Sequence, residues 1–417
     1  MINIKSIKKS ELFQNIFKTF TSTGLSQLIQ IIGSLYLVRI YAPDEFGVFS
    51  LFMAILMFLV VLSTLRYESA IIIEKNKGVV KMIMNTLFVY MLLFSSLVFL
   101  VLFLIPSSIL KYFKIEEFYF LIPFGVIVYG FYNTLISYFI REKRFGLIAL
   151  IKISIAFLIV VFQILFFYVE IKNGLILGFS LGYFIVSIYM FFSLKEKLIL
   201  QSKKRIILVL KKYFYLVKFG LPSQIVDTLS NAVLPILIAL WFDLKIAGIY
   251  FFAYKMTNLP LQLIGVSVGK VFYQRASYLF NHNKEELYGF VLKIIGLTSS
   301  MVIIPLILLF FFSKDVILLL VGEEWIEAGT YISILVVMFF FRTISSAISP
   351  LADILNRLNI TFIFSILMFF TYVGAMYIGN LYDNFILAIK IMSIVISLSY
   401  ITLIIYFVNI LKFKKTE

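Results

Sequence analysis

A few ionisable side chains lie inside long apolar runs of this sequence, where a buried charge is costly and therefore expected to serve a function. Asp227 and Lys255 lie near the middles of two consecutive runs. They could form an ion pair between neighbouring helices, or line a cavity that binds or gates a charged solute. Arg342, in a third run, has a guanidinium suited to bidentate phosphate binding. Lys152 and Lys390 lie nearer the ends of their runs and could instead extend to the interface.

Amide side chains in two of the runs form a second set of candidates. Gln27 and Gln30 occupy positions in the first run that correspond roughly to Gln224 and Asn231 in the seventh. Such amides could hydrogen-bond sugar hydroxyls in a wet cavity, or equally well bind neighbouring helices to each other.

Gating or structural roles are predicted for residues near the ends and bends of the runs. Arg66 and Glu68 lie at the inner end of the second run, where they form a turn-setting ion pair or take part in a gate. Pro222, Pro235 and Pro260 each remove a backbone donor, so we expect the helices to bend there. Bent helices at a repeat interface could act as a moving gate.

Several kinds of chemistry are excluded by what the sequence lacks. It contains no cysteine and a single histidine, which excludes disulfides, thiol nucleophiles, cysteine–zinc sites and multi-histidine metal sites. No nucleotide-binding, hydrolase or metalloprotease motif occurs in a suitable context. We therefore predict no enzyme activity, no cofactor and no metal, with energy from an ion gradient, the membrane potential or the substrate's own concentration difference.

The composition predicts an all-α integral membrane protein. Hydrophobic residues make up 62% of the chain, charged residues 14%, and the mean hydropathy is +1.05. With ~20 apolar residues per crossing, about twelve spans are expected. Their predicted ranges are 17–39, 47–66, 84–105, 119–139, 147–168, 174–193, 214–241, 247–269, 291–312, 328–348, 358–378 and 384–408.

The spans divide into two halves that resemble each other. The stretch Gly24–Ile73 has a weaker copy that begins at Phe219, and alignment places Gly47 over Gly248. Two six-helix bundles that start on the same side would be parallel repeats around a central cavity. The predicted domains are an N-terminal bundle at 1–194 with an amphipathic N-terminal segment, a basic cytoplasmic linker at 195–213, and a C-terminal bundle at 214–417.

The distribution of lysine and arginine predicts the orientation. Basic residues concentrate on the side that holds both termini and the linker, so both termini are expected in the cytoplasm. Lys5, Lys8 and Lys9 of the first segment would face lipid phosphates at the interface. The net charge of +16 therefore suits a membrane and does not predict nucleic-acid binding.

Three segments carry a family resemblance. Arg39–Gly47 (RIYAPDEFG), Leu65–Ile71 (LRYESAI) and Leu320–Ala328 (LVGEEWIEA) resemble bacterial polysaccharide exporters, the Wzx-type O-antigen flippases of the multidrug/oligosaccharidyl-lipid/polysaccharide (MOP) superfamily. The resemblance implies a flippase in the bacterial inner membrane. It would move oligosaccharides linked to undecaprenyl pyrophosphate from the inner to the outer leaflet by alternating access, for O-antigen or capsule synthesis. Its expected partners are this lipid-linked substrate, membrane lipids, a glycan polymerase and a chain-length regulator.

Under this interpretation, Lys255, Arg342, Lys152 and Lys390 would form a cationic cavity that attracts the pyrophosphate, and a coupling carboxylate would be Asp227. A drug exporter of the same superfamily would be expected to have acidic cavity residues. A membrane-embedded glycan polymerase or ligase would usually have a large outer loop, and none is visible. A lipid II flippase typically has two further spans. These alternatives remain open at the level of the sequence.

Overall fold

The computed structural model describes residues 11–194 and 203–413. Within these ranges the chain forms helices joined by short turns, and it contains no β-strand. Lys5, Lys8 and Lys9 of the predicted interfacial segment lie outside the described residues, as does the first part of the basic linker, 195–202.

Two compact units make up the chain. The first comprises Met1–Tyr41 and Val48–Ala232, and the second comprises Ala42–Gly47 and Val233–Glu417. The division falls within a helix, whereas the sequence places the start of the C-terminal bundle at residue 214, so that bundle boundary stays a prediction. The helices up to the division are α1 Glu11–Ile40, α2 Pro43–Thr64, α3 Glu68–Ile73, α4 Lys77–Leu104, α5 Ser107–Tyr112, α6 Leu121–Arg141, α7 Phe145–Tyr168, α8 Gly174–Phe192, α9 Lys203–Lys212 and α10 Leu221–Trp241.

The second unit includes the end of α10, from Val233 onward. Its helices are α11 Leu244–His282, α12 Lys284–Leu320, α13 Ile326–Ile348, α14 Leu351–Ile354, α15 Leu358–Leu381 and α16 Phe385–Phe413. A π-helical turn at Leu216–Gly220 precedes α10, and a 3₁₀ turn at Glu323–Trp325 precedes α13.

Ten helices in the described ranges are long and apolar enough to cross a membrane. The other two predicted spans fall in α1 and α11, which have 30 and 39 residues and so exceed the length required. Polar residues such as Gln27, Gln30 and Lys255 lower the apolar character of these two helices. The prediction of an all-α, multi-pass membrane protein is confirmed, with ten spans by length and composition instead of about twelve.

Apolar side chains line the inside of each unit and also cover its outside. The first core surrounds Ile83 and Phe139, and the second surrounds Phe272 and Leu287, all of them buried. Many large apolar side chains stay exposed, among them Leu319 at 80%. A water-soluble surface would not present so much apolar area, whereas lipid tails cover it without cost.

Two glycines that align in the sequence repeats contact each other in the second unit. A Cβ atom on Gly47 would lie 2.0 Å from the carbonyl oxygen of Leu244, and a Cβ atom on Gly248 would lie 1.8 Å from that of Pro43. Each glycine therefore faces the residue four positions before the other. Only glycine permits this approach, so the first turns of α2 and α11 cross backbone to backbone.

Candidate functional site

A cationic pocket lies in the second unit, between α11 and α13. The guanidinium of Arg342, on α13, donates a hydrogen bond to the Tyr254 hydroxyl on α11. Its central carbon lies 5.6 Å from the centre of the Tyr254 ring and 5.8 Å from that of Phe339, within the range of cation–π attraction. No carboxylate pairs with Arg342 in the described part of the chain. The positive charge is thus oriented by aromatic groups while it remains available to an anion.

The pocket has a volume of about 110 Å³ and a polar wall contributed by α11. Asn258 and Gln262 line it together with Arg342, Thr343 and Ser346. Residues four apart share one face of a helix, which explains why both amides point the same way. Guanidinium, amide and hydroxyl groups together can bind a phosphate and hydrogen-bond a sugar.

Close packing of α11 on α13 positions this wall. Gly265 and Gly269 lie one turn apart on α11 and both face Ser346. A Cβ atom on Gly265 would lie 2.9 Å from the Ser346 hydroxyl oxygen, and one on Gly269 would lie 3.2 Å from the Ser346 carbonyl oxygen. Small residues at such spacing allow membrane helices to approach closely. The two helices can therefore share one pocket without a wide gap.

Two other predicted cations of this unit lie outside the pocket. Lys255 follows Tyr254 on α11, and consecutive helix residues point about 100° apart, so the two side chains face different ways. Lys255 is half-buried and has neither a hydrogen bond nor a salt bridge within the described residues. Lys390, on α16, is exposed. The structure thus brings Arg342 together with polar residues of α11 and not with either lysine.

In the first unit, the predicted cavity residues of α1 and α7 lie close together. The Lys152 ammonium group donates a hydrogen bond of 3.1 Å to the Thr23 hydroxyl and so ties α7 to α1. On the next turn of α1, the side-chain oxygen of Gln27 is buried and accepts no hydrogen bond within the described residues. Gln30 is half-buried. A buried acceptor without a donor is a costly arrangement that a ligand hydroxyl would relieve.

Arg66 contacts the predicted site residue Gln224 in the first unit. Leu65 and Arg66 have positive φ angles of 48° and 64°, which is strained for residues with a Cβ atom. This turn separates α2 from α3 and directs the Arg66 guanidinium to the Gln224 side-chain oxygen, 3.1 Å away. A Cβ atom on Gly220 would lie 2.9 Å from the Arg66 side chain. Arg66 therefore packs against the start of α10.

Glu68 begins α3, directly after that turn. One of its carboxylate oxygens is buried and accepts no hydrogen bond within the described residues. Burial raises the pKa of Glu68 above its usual range, and hydrogen bonds to the other oxygen and the charge of Arg66 oppose the shift. The predicted roles of Arg66 and Glu68, in a turn or in a gate, both remain predictions.

Asp227 and Asn231 lie one turn apart on the exposed face of α10. The Asn231 amide donates to the backbone oxygen of Asp227 at 2.8 Å, a bond within the helix itself. Asp227 belongs to the first unit and Lys255 to the second, so their predicted ion pair stays a prediction.

The three prolines predicted to bend helices lie in α10 and α11. Pro222 follows the π-helical turn at the start of α10, while Pro235 and Pro260 lie inside helices that continue past them. Each proline leaves one backbone carbonyl without its usual donor. The expected bends at these positions stay predictions.

A carboxylate outside the spans fastens the segment before α10 to the first unit. The Glu74 carboxylate accepts hydrogen bonds from the Asn76 backbone N–H at 2.8 Å, and from the Lys212 ammonium and Tyr213 hydroxyl at 2.6 Å each. In that order, these donors lower the pKa of Glu74 to about 2. The prediction from sequence did not include this cluster, because its members are far apart in the chain.

The other residues missed from the sequence carry a signal that could have been found. Tyr254, Asn258 and Gln262 recur at intervals of four along α11, and Lys270 follows Gln262 after eight residues. Within an otherwise apolar span, such spacing places polar groups on one face. Among the described residues, no group of histidine, cysteine and carboxylate side chains could hold a metal ion.

Comparison with known proteins identifies relatives of the sequence and of the fold. Residues 36–330 match the model of a family described as "Polysaccharide biosynthesis protein". No curated protein matches the chain. A solved multidrug resistance MATE family transporter of the MOP superfamily, in its inward-facing conformation, has a TM-score of 0.72 and 13% identity over 94% of this chain and 95% of that chain. The lipid II flippase MurJ, in an inward closed conformation, has a TM-score of 0.72 and 16% identity over 97% of this chain and 88% of that chain. At these identities the likeness shows that the chain has the fold of the MOP superfamily.

Proposed function

Because the chain belongs to the polysaccharide biosynthesis protein family, we propose that it is a flippase for a lipid-linked oligosaccharide. The resemblance to MOP-superfamily polysaccharide exporters is confirmed by the family match and the shared fold. The proposed substrate is an oligosaccharide repeat unit on undecaprenyl pyrophosphate, carried from the inner to the outer leaflet of the bacterial cytoplasmic membrane. The O-antigen or capsule role, the cytoplasmic termini and the partnership with a glycan polymerase and chain-length regulator are parts of this proposal.

The observation that carries the proposal is the Arg342 pocket. A guanidinium in a membrane-embedded helix, with no carboxylate partner among the described residues, is costly unless an anion binds it. Arginine binds phosphate through two parallel donors, and Asn258 and Gln262 beside it supply the donors and acceptors that sugars require. A diphosphate joined to a sugar has both features.

Transport would use these groups in a simple order. Arg342 holds the diphosphate while the amides hold the first sugar, and the polyprenyl tail remains in the lipid. Rocking of the two repeat halves then exposes the pocket to the opposite leaflet. Because the cytoplasmic side of the membrane is negative, the membrane potential favours the outward movement of an anion by about 2.3 kcal/mol per charge per 100 mV, and it can therefore contribute to the driving force.

The named neighbours support transport of a lipid-linked substrate. One of them is called a lipid II flippase and another a multidrug transporter. A cation-coupled drug exporter remains the alternative within this fold, but a pocket built around an arginine suits an anion. A glycan polymerase or ligase is the alternative of a different class, since it would join glycans instead of moving them across the membrane.

The test is movement of a fluorescent polyprenyl-pyrophosphate oligosaccharide in proteoliposomes. Arg342→Gln removes the charge and keeps hydrogen-bonding capacity, and the loss of a charge-assisted contact worth ~1.5–3 kcal/mol should slow transport about tenfold to a hundredfold. Arg357→Gln is the matched control, since Arg357 is exposed in the same unit. Lys255→Met tests the predicted lysine in the same assay.

Three results would change the proposal. Normal transport by Arg342→Gln would retain a flippase and reject this pocket. A folded wild-type protein that moves cationic drugs but no glycolipid would indicate the exporter. Elongation of the glycan by purified protein without transport would indicate the polymerase.

A further inference from the structure

A second cavity adjoins the Arg342 pocket in the second unit. It has a volume of about 340 Å³, within the ~300–1,000 Å³ of typical ligand sites. Val266 and Ser346 line both cavities, so the two are neighbours along α11 and α13. None of the residues predicted from the sequence lies in this second cavity.

Opposite charges line the second cavity without pairing. Lys270 of α11 and Asp353 of α14 both face it. Over the described ranges, their side chains form no salt bridge within 4.0 Å, with each other or with a third residue. Both residues are exposed, so a solute that enters the cavity can contact the two charges at once. Tyr273 and Ser349 add hydroxyl groups to the same wall.

The two cavities together match a ligand with two polar parts. Gln262 lines the first cavity and Lys270 the second, and eight helical residues correspond to about 12 Å along α11. By itself, the second cavity has both polar groups that such a head group requires. Lys270 is a cation that can bind phosphate, and Asp353 is a carboxylate that can accept hydrogen bonds from sugar hydroxyls. In the proposed orientation, both α11 and α13 run from the outer to the inner side, so the second cavity lies on the cytoplasmic side of Arg342.

We propose that the second cavity is a loading site for the glycosyl diphosphate head group of the lipid substrate. Lys270 binds the diphosphate, Asp353 accepts hydrogen bonds from the sugar, and Arg342 receives the diphosphate in the next step. The inference rests on the proposed flippase function and deepens it, since it names where the head group first binds and which part of it each residue recognises.

Binding to the full-length protein in nanodiscs tests the loading site. The probes are farnesyl diphosphate, farnesyl-diphosphate N-acetylglucosamine and inorganic pyrophosphate, measured by calorimetry. Lys270→Met keeps the apolar stem and removes the charge, and it should weaken farnesyl diphosphate binding about tenfold. Lys270→Arg should restore the affinity. Lys284→Met is the matched control, because Lys284 is exposed on the neighbouring helix.

Asp353→Asn tests recognition of the sugar separately. It should reduce the additional affinity that N-acetylglucosamine confers, and it should leave the affinity for farnesyl diphosphate unchanged or higher. Equal reduction for both lipids would overturn the assignment of Asp353 to the sugar. Inorganic pyrophosphate that binds as tightly as the glycolipid would identify a free-phosphate site and overturn the head-group assignment.

Transport kinetics separate this inference from the function on which it rests. Lys270→Met should raise the substrate concentration for half-maximal transport with little change in the maximal rate, whereas Arg342→Gln should lower the maximal rate. A Lys270→Met protein that binds and transports like Lys284→Met would overturn the loading site and leave the flippase intact. A wild-type protein that neither binds nor moves the glycolipid would instead reject the flippase itself.

Discussion

The crossing of Gly47 and Gly248 allows a prediction with a magnitude. In Gly248→Ala, the new Cβ atom would lie 1.8 Å from the Pro43 carbonyl oxygen, whereas ordinary contact begins at 3.4 Å. The two backbones must therefore separate by about 1.6 Å, the difference between these distances. Neither atom belongs to a flexible side chain, so rotation cannot relieve the clash.

The expected loss of stability follows from two opposing effects. Overpacking of this kind costs ~1–3 kcal/mol and sometimes more. Alanine in place of a helical glycine contributes ~0.5–1 kcal/mol in the other direction. Since this clash is between two backbones, the upper end of the overpacking range applies, and the net change for Gly248→Ala should be a destabilisation of about 2 kcal/mol or more, seen as a lower unfolding midpoint.

A matched control has the opposite expected sign. Gly374, inside α15, has no heavy atom within 4 Å of its ideal Cβ position. Gly374→Ala should therefore stabilise the protein slightly through the backbone effect alone. The same glycine-to-alanine substitution should therefore lower the unfolding midpoint at Gly248 and raise it at Gly374, if the backbones at Gly248 lie as close as described.

Tryptophan fluorescence during thermal unfolding in detergent is the assay. Trp325 is buried beside the crossing, with its ring centre 5.2 Å from those of Phe46 and Phe252. Trp241→Phe would remove the other tryptophan and leave a local probe. Equal shifts of the midpoint for Gly248→Ala and Gly374→Ala would refute the reasoning. Additive losses of stability for Gly47→Ala and Gly248→Ala in the double variant would also refute it. Two residues at one crossing should instead show an interaction free energy of ~0.5–3 kcal/mol.

Three further predictions concern hydrogen bonds. Glu74→Gln should destabilise the protein at pH 7, because it removes a carboxylate whose folded-state pKa is about 2, below the usual value of 4.5. The difference in unfolding temperature between variant and wild type should shrink as the pH falls from 4.5 to about 2, which thermal unfolding would measure. Tyr254→Phe should impair glycolipid transport with little change in unfolding temperature, since it removes the acceptor that orients Arg342 while the ring remains. Lys152→Met should lower the free energy of unfolding by ~0.5–1.5 kcal/mol, because the hydrogen bond to Thr23 of α1 is lost. A strong loss of transport without destabilisation would instead favour a role of Lys152 in the cavity.

The composition and span pattern predicted most of the fold. Long apolar runs have few alternatives in a chain this hydrophobic, because an unpaired backbone in lipid forces helix formation. The weak repeat also contained information beyond the spans. Its alignment of Gly47 with Gly248 anticipated two glycines that contact each other in the structure.

The candidate site was predicted only in part. Arg342 was identifiable because an arginine far from the end of an apolar run needs a partner. Tyr254, Asn258 and Gln262 were not singled out, since such residues inside membrane helices usually serve ordinary packing. The prediction gave equal attention to Lys255, which lies one position from Tyr254 but lines neither of the two cavities.

The sequence by itself determined that this protein is a helical membrane protein, where its spans lie and that its deepest arginine was worth attention. These properties depend on the chemistry of consecutive residues and on their period along one helix. The tertiary structure decided which polar groups share a cavity with Arg342, and that Lys270 and Asp353 face a common space. Such pairings depend on the rotation and separation of α11, α13 and α14, which small residues such as Gly265 control through packing and no single-helix pattern specifies.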